Sequence, residues 1–454
     1  MEFLMPNDFK LFLRYVAPSM AAMAIAGSYS IIDTVFIGRG MGELALAALA
    51  VTWPLIMVLW GLGDMLGNGA AAIISQRRGA ADRRSAQKTF ANMLALQLIV
   101  CVPACALFLA FLDPALEALG ANSEMAAYAR PYSIVMILGT PVSMFSMGAI
   151  AVVRNDARPV LSMWLVIVGL LANIFFDWLF IMHFAWGAIG AAAATVLSQG
   201  ISAAAALAYF LSPLTDLKIR LSDMRADWRL MREICATGLP IFGNMLAIVA
   251  MLYMHNIQSL RYGGVDGLAA YTLVACLESA GSMLLTGLAC GVQPLAAFLH
   301  GAGEHRRKNR IGNYGYFSAF AVGSAMMAFS WALRNYMPGW CGLSGNTAEL
   351  AVHGVVISST AFIFLGVVRV AAYYYQSTQN ILYSSLIIYG DAFVALPACL
   401  FALPIWFGMD GVWLAMPVSR AMLMCLLCWL WLRRGNGRGR RYAEKRAGNS
   451  EPRA

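Results

Sequence analysis

Charge is what this chain has least of. Only 12% of its 454 residues are Asp, Glu, Lys or Arg, against 60% hydrophobic residues. That balance excludes a soluble globular protein and leaves no stretch from which a soluble domain could be built. Histidine is equally sparse. The five His lie far apart and no HExxH or GxSxG motif occurs, so no metal centre, nucleophile or other enzymatic constellation is expected. Nine Cys are scattered, mostly in apolar stretches and without a Cys/His cluster, and read as small apolar residues.

What is there is apolar length. Cutting the apolar runs at polar and Gly/Pro breaks gives twelve segments, near 11–38, 45–75, 88–112, 125–152, 160–183, 187–211, 231–260, 266–299, 311–335, 347–377, 381–404 and 411–433. Each reaches the ~20 residues that a spanning helix requires. The first has no A-x-A cleavage pattern before it and is expected to be retained. Of the 32 Lys and Arg, 26 fall in alternate connections: the N-terminus, Arg77 to Lys88, Arg154 and Arg158, Lys218 to Arg232, Arg306 to Arg310, and the tail from Arg433. The opposite connections hold only Arg39, Arg130, Arg261 and Arg334. The excess of positive charge marks the inner side, so both termini are expected in the cytoplasm of a bacterial inner (plasma) membrane protein. The net charge of +9 is then explained by topology and anionic lipid, with no nucleic-acid partner.

The chain also repeats. At an offset of 222, residues 18–84 align with 240–306 without a gap, with fourteen identities in 67 positions. Pro18 meets Pro240, Gly42 meets Gly264, Gly69 meets Gly291, Gly79 meets Gly301 and Arg84 meets Arg306. Six spans per half place both halves in the same orientation, the arrangement of duplicated transporters that rock about a shared site. The expected architecture is therefore an all-α polytopic membrane protein, twelve transmembrane helices in two pseudo-symmetric six-helix bundles. Its parts are an N-lobe (1–211), a linker (212–232) in which Trp228 suggests an interfacial helix, a C-lobe (233–433) and a basic tail (434–454).

Against this apolar background a few polar residues stand out. Asp33 lies inside the apolar run from Pro18 to Pro54, with Tyr29 four residues before it on the same helix face. Asn173 and Asp177 repeat that spacing in span five, and Thr195 lies in span six. Counted from the span ends, Asp33, Asp177 and Thr195 share one level, roughly 8–12 Å from the outer ends at 1.5 Å per residue. A carboxylate at bilayer depth is a functional-site candidate by default. Two such groups close together cannot both ionise cheaply, so a proton can bind and leave. The alternative for Asp33 is a helix-end position reaching solvent. In the second half, His255 occupies the repeat position of Asp33. Glu278 is open to three roles: serving a cationic substrate, pairing with an Arg, or a helix-end position. Arg369 is expected to neutralise a carboxylate, and Arg420 with Asp391 forms a second candidate pair; Asp64 is the remaining intramembrane charge. The run Tyr373-Tyr374-Tyr375 and the 27 Met suit either a cavity for flat apolar compounds or ordinary core packing.

Several of these pieces together resemble the multidrug and toxic compound extrusion (MATE) transporters, over essentially residues 11–433. They are P-x14-D-x4-G at Pro18, Asp33 and Gly38, the loop SQRRGAADRR, the turn VVRNDARPVLSM, the run NIFFD with WGAIGAAAAT after it, and GVQPLAAFLHGAG in the second half. The resemblance implies a two-lobed antiporter around a V-shaped cavity, exporting small amphipathic drug-like compounds against entering protons, or sodium, without a cofactor or bound metal. Tyr29, Asp33, Asn173, Asp177 and Thr195 look like the N-lobe coupling network of the prokaryotic DinF-type branch, with Pro18 as the hinge of helix one. A monomer in the lipid bilayer is expected. The apolar stretch around Ile248, where some relatives carry a Glu, and His255 opposite Asp33 favour protons over sodium. A lipid-linked precursor flippase of the same superfamily is the alternative; it needs a basic cavity, for which only Arg369 and Arg420 are available.

Overall fold

The computed structural model describes residues 7–218, 225–340 and 343–447. Helices account for nearly all of them. In the first half these are α1 (Asp8–Met41), α2 (Glu43–Gly79), α3 (Arg83–Ala110), the short α4 (Leu112–Ala118), α5 (Ser123–Asn155), α6 (Pro159–Asp177) continued by a π-helical segment (Trp178–His183), and α7 (Gly187–Leu211). In the second half are α8 (Trp228–Gly301), α9 (His305–Leu333), the one-turn α10 (Met337–Trp340), α11 (Gly345–Ser358), α12 (Ala361–Ser377), α13 (Ile381–Gly390), a second π-helical segment (Asp391–Ala395), α14 (Leu396–Phe407) and α15 (Met409–Ala447).

Twelve membrane crossings follow from these helices. At 1.5 Å per residue the 74 residues of α8 would extend about 110 Å, several times the ~30 Å hydrocarbon core. The helix breaks at Gly264 (φ 61°, ψ −154°), which turns it into two spans. Its repeat mate Gly42 (φ 83°) breaks the chain between α1 and α2 in the same way. Neither glycine has a neighbour within 4 Å of where a Cβ would stand. Glycine is therefore required there by the left-handed backbone, and not by crowding. The tenth crossing is bent, with α11 and α12 meeting at 45°. Local chemistry starts the helices: Asn7 Oδ1 accepts from the Phe9 and Lys10 amides, and Asp82, Asn122 and Asp227 cap α3, α5 and α8 in the same manner.

The linker differs from expectation. Residues 212–218 form turns, and Trp228 is the first residue of α8, behind its Asp227 cap, so no separate interfacial helix occurs in the described part. Residues 219–224 lie outside the described residues. The basic tail continues α15 as far as Ala447, and the rest of it lies outside them too. Cysteine burial is also uneven. Cys101, Cys290 and Cys399 are buried, but Cys276 and the C-x-x-C pair Cys425 and Cys428 are exposed on spanning helices, where the neighbour is lipid and an apolar thiol is no less at home.

The two lobes join on one side only. Toward the basic loops the cores cross between lobes. Leu230, Met231 and Ile234 at the start of α8 pack with Met65, Leu66, Ala70 and Ile73 of α2, while Leu11, Phe12, Tyr15 and Val16 of α1 pack with Leu288, Val292, Leu295 and Leu299. The contacts obey the repeat: a Cβ on Gly79 would meet the Phe298 carbonyl, and one on Gly301 would meet the Gln76 carbonyl. Phe298 and Gln76 are themselves 222 apart, so the two approaches are pseudo-twofold mates. Polar ties reinforce this face. Asp8 accepts from Arg307 and Arg310 at 2.8 and 2.9 Å, Arg77 pairs with Glu233 at 3.1 Å, and Ser75 donates to the Pro294 carbonyl. On the opposite side each lobe keeps its own core. Ile37, Leu49, Ile56, Tyr132 and Ile181 belong to the first half alone, and Tyr271, Val274, Val355 and Trp413 to the second. The space between the lobes therefore opens away from the basic loops.

Candidate functional site

In the N-lobe, Asp33 sits on α1 eight residues before the helix ends at Met41, about 12 Å deep and so not a helix-end group. Asp177 is the last residue of α6, where the π-helical segment starts; Asn173 lies one turn earlier, and Thr195 stands two turns into α7. Helix α6 packs against both α1 and α7, which brings the three helices together. Asn173 and Asp177 are wholly buried and Thr195 nearly so. Both oxygens of Asp177, both amide atoms of Asn173 and Oδ1 of Asp33 have no hydrogen-bond partner among the described residues. Asp33 and Asp177 are close enough to act on each other electrostatically, and no cationic side chain is similarly placed. Tyr29 is on the same face of α1, one turn below Asp33; its side chain lies outside the described residues. Pro18 is inside α1, which runs through it as one continuous helix, so no bend is present at the expected hinge.

The C-lobe set is built differently. Asp391 opens the second π-helical segment and its Oδ2 lies 3.7 Å from Nε of Arg420 on α15, the pairing anticipated from the sequence. Glu278 acts on the same cluster from the second span of α8, through Arg420 and Asp391. Arg369 departs from expectation. Its guanidinium donates to Asn244 Oδ1 and, at 3.1 Å, to Ser282 Oγ, and no carboxylate of the described residues pairs with it. Neutral oxygens satisfy two of its five N–H groups without neutralising its charge. His255 is buried, its Nδ1 donating to the Met251 carbonyl at 2.9 Å and its ring stacked on Tyr271 at 5.1 Å. The tyrosine run is core: Tyr373 packs with Tyr15 and Val292, and Tyr375 with Ile387 and Leu423.

Two features were not singled out from sequence. Arg154, counted above among the loop charges, is buried at the end of α5 and donates to Asn68 Oδ1 at 3.0 Å, near Asp64. Two residues on, buried Asp156 accepts from Arg78, Thr215 and, at 2.5 Å, Tyr209, tying α2, α5, α7 and the linker at the basic face. The signal was the carboxylate inside the otherwise basic turn RNDAR.

Duplicated bundles, a cleft between them and a buried ionisable cluster in each define a polytopic α-helical membrane protein of the transporter type. A family model described as MatE matches residues 18–179 and again 240–400, the two starts being 222 apart, the offset of the internal repeat. The chain belongs to the MatE family. It is similar to the "Multidrug export protein MepA" of Staphylococcus aureus, 25% identical over 412 residues and covering 89% of each chain. Among solved structures it is similar to one titled "Outward-facing conformation of a multidrug resistance MATE family transporter of the MOP superfamily", with a TM-score of 0.89 at 22% identity over 98% of both chains. A Pyrococcus furiosus transporter whose title reports a "Reverse polarity of binding pocket" superposes with a TM-score of 0.88, also at 22% identity, over 95% of this chain and 96% of that one.

Proposed function

We propose that this protein is a secondary multidrug exporter that moves amphipathic organic cations across the membrane in exchange for protons, with Asp33 as the coupling group. The observation carrying this reading is the pair Asp33 and Asp177, buried at one depth with Asn173 and Thr195 and with no cation beside either carboxylate. A carboxylate in that setting keeps its charge only while something positive occupies the site, either a bound proton that removes the charge or an organic cation that balances it. Because the two occupants exclude each other, a proton entering from the open side expels the cation to that side. Asp177 makes the second charge expensive and so widens the range over which Asp33 exchanges its proton. The hydroxyl of Thr195 and the amide of Asn173 orient the pair, and Tyr29 contributes from the same face of α1. The positive-inside distribution puts the closed, basic face in the cytoplasm. Bending of α1 at Pro18 on protonation, which the MATE resemblance implies, would shrink the N-lobe side of the cleft.

The test is efflux of an ethidium-like cation from proteoliposomes under separately imposed proton and sodium gradients. Proton-driven efflux lost in Asp33→Asn at normal expression supports the reading. Efflux driven by sodium alone transfers the coupling to that ion. Absence of cation movement together with scrambling of lipid-linked sugars replaces it with the flippase.

A further inference from the structure

We infer that the C-lobe cavity at Arg369 is a recognition site for a carboxylate, so that part of the substrate range consists of amphipathic zwitterions. This rests on the export reading above but concerns a different lobe and a charge of opposite sign. The cavity, about 420 Å³ including its mouth, is lined by Asn244 of α8, Arg369 of α12, Asp391, Arg420 of α15 and an apolar wall that includes Ile248, Met251, Leu365 and Val368. Of its two guanidinium groups, Arg420 is matched by Asp391 and has Glu278 close by. Arg369 is matched by no carboxylate among the described residues and is held in place by Asn244 and Ser282. Those two contacts fix the fork and leave N–H groups for an incoming acceptor.

An unmatched guanidinium at bilayer depth is costly, and a bound anion is the direct means of offsetting that cost. The geometry selects the anion. A planar fork receives the two oxygens of a carboxylate in parallel. One uncompensated charge balances a monoanion, whereas a pyrophosphate would require further cations that the wall does not hold. The apolar wall accommodates the hydrocarbon next to the carboxylate.

The test uses purified full-length protein and two fluorescent probes, rhodamine B, which carries a free carboxylate, and its ethyl ester, which does not. Binding is read from fluorescence anisotropy in neutral detergent. Wild-type protein is expected to bind the acid about tenfold more tightly than the ester, the scale of one charge-assisted contact. Arg369→Gln should remove that preference without changing ester binding, and Arg369→Lys should restore part of it. Equal binding of both probes by the wild type, or an equal loss of both in Arg369→Gln, overturns the assignment. Loss of the preference when a few mole per cent of phosphatidylglycerol is added gives the site to a lipid phosphate and likewise overturns it. Proton-driven efflux of the ester is measured in parallel. Its failure with the binding preference intact counts against the export reading and leaves this site standing.

Discussion

The two lobes descend from one repeated sequence and place ionisable groups at comparable depths, yet they handle charge in opposite ways. In the N-lobe, Asp33 and Asp177 are surrounded by an amide, a hydroxyl and apolar side chains. In the C-lobe, Asp391 and Glu278 share a cluster with Arg420, and Arg369 stands nearby. Where α1 has Asp33, the matching turn of α8 has His255, bonded to its own helix and stacked on Tyr271. Carboxylates without a fixed counter-charge exchange one mobile cation for another; carboxylates paired with arginine are neutralised permanently. Duplication thus supplied the scaffold twice and the exchangeable charge once. One device is shared. In each lobe the fifth crossing contains a π-helical segment beside its aspartate, Trp178–His183 after Asp177 and Asp391–Ala395 beginning with Asp391. The extra residue in such a turn rotates the helix face and re-aims the side chain next to it.

Neutralising one carboxylate in each lobe tests the contrast most directly. Asp33→Asn preserves shape and removes the exchangeable charge. It should insert and express normally while proton-driven efflux falls by about 100-fold or more, the full effect of deleting an obligatory group. Asp391→Asn should do the reverse. Removing one partner of a buried pair leaves Arg420 uncompensated, at a cost of about 3–5 kcal/mol, so thermal stability in detergent should fall clearly. Adding Arg420→Met should recover most of that loss, because the orphaned charge goes too. If Asp33→Asn were the destabilised protein and Asp391→Asn the inactive one, the lobes would have exchanged roles.

Asp177→Asn is expected to have an intermediate effect. One titrating carboxylate remains but its like-charged neighbour is gone, so Asp33 ionises more readily. The proton-bound form then persists only to lower pH, and the pH optimum of efflux should shift to the acid side with partial activity retained. A profile unchanged from wild type would separate the two aspartates functionally.

How much of this was legible in the sequence depended on the kind of signal. Apolar length gave the twelve crossings, and glycines at fixed offset gave the repeat, because positive φ at Gly42 and Gly264 leaves the chain almost no other residue to use. The depth of Asp33, Asp177 and Thr195 followed from counting along helices. Partners across helices did not follow. Arg369 was expected to face a carboxylate on the principle that a buried charge needs one, but amide and hydroxyl oxygens from two other spans satisfy its hydrogen bonds instead. Arg154 carried the signature of a basic loop, yet the last turn of α5 carries it inside, against Asn68. The π-helical segments left no trace, since their residues are as apolar as the α-helices they continue.

The smallest effect belongs to the face where the lobes do not differ, the closed basic side. There Asp8, nearly buried at the start of α1, accepts from Arg307 and Arg310 at the start of α9 and so spans the lobe boundary. Opening the cleft toward this face must break both contacts. Their worth is limited, since Arg310 is more than half exposed and Arg307 keeps Glu304 as a second partner at 2.9 Å. Solvent screening reduces such contacts, so removing the charge should cost the closed face about 1 kcal/mol, a shift of roughly fivefold in the equilibrium between the two lobe arrangements. Asp8→Asn should therefore leave folding and drug binding intact while increasing the population open on the basic face. Spin labels on the α2–α3 and α8–α9 turns, read by pulsed electron resonance, would report that population as a longer distance component. High salt should raise the same component in wild-type protein and change it little in the variant, because the ion pairs that salt weakens are already gone. An identical salt response in both would place the closing force in the glycine contacts at Gly79 and Gly301, where backbone meets backbone without any charge.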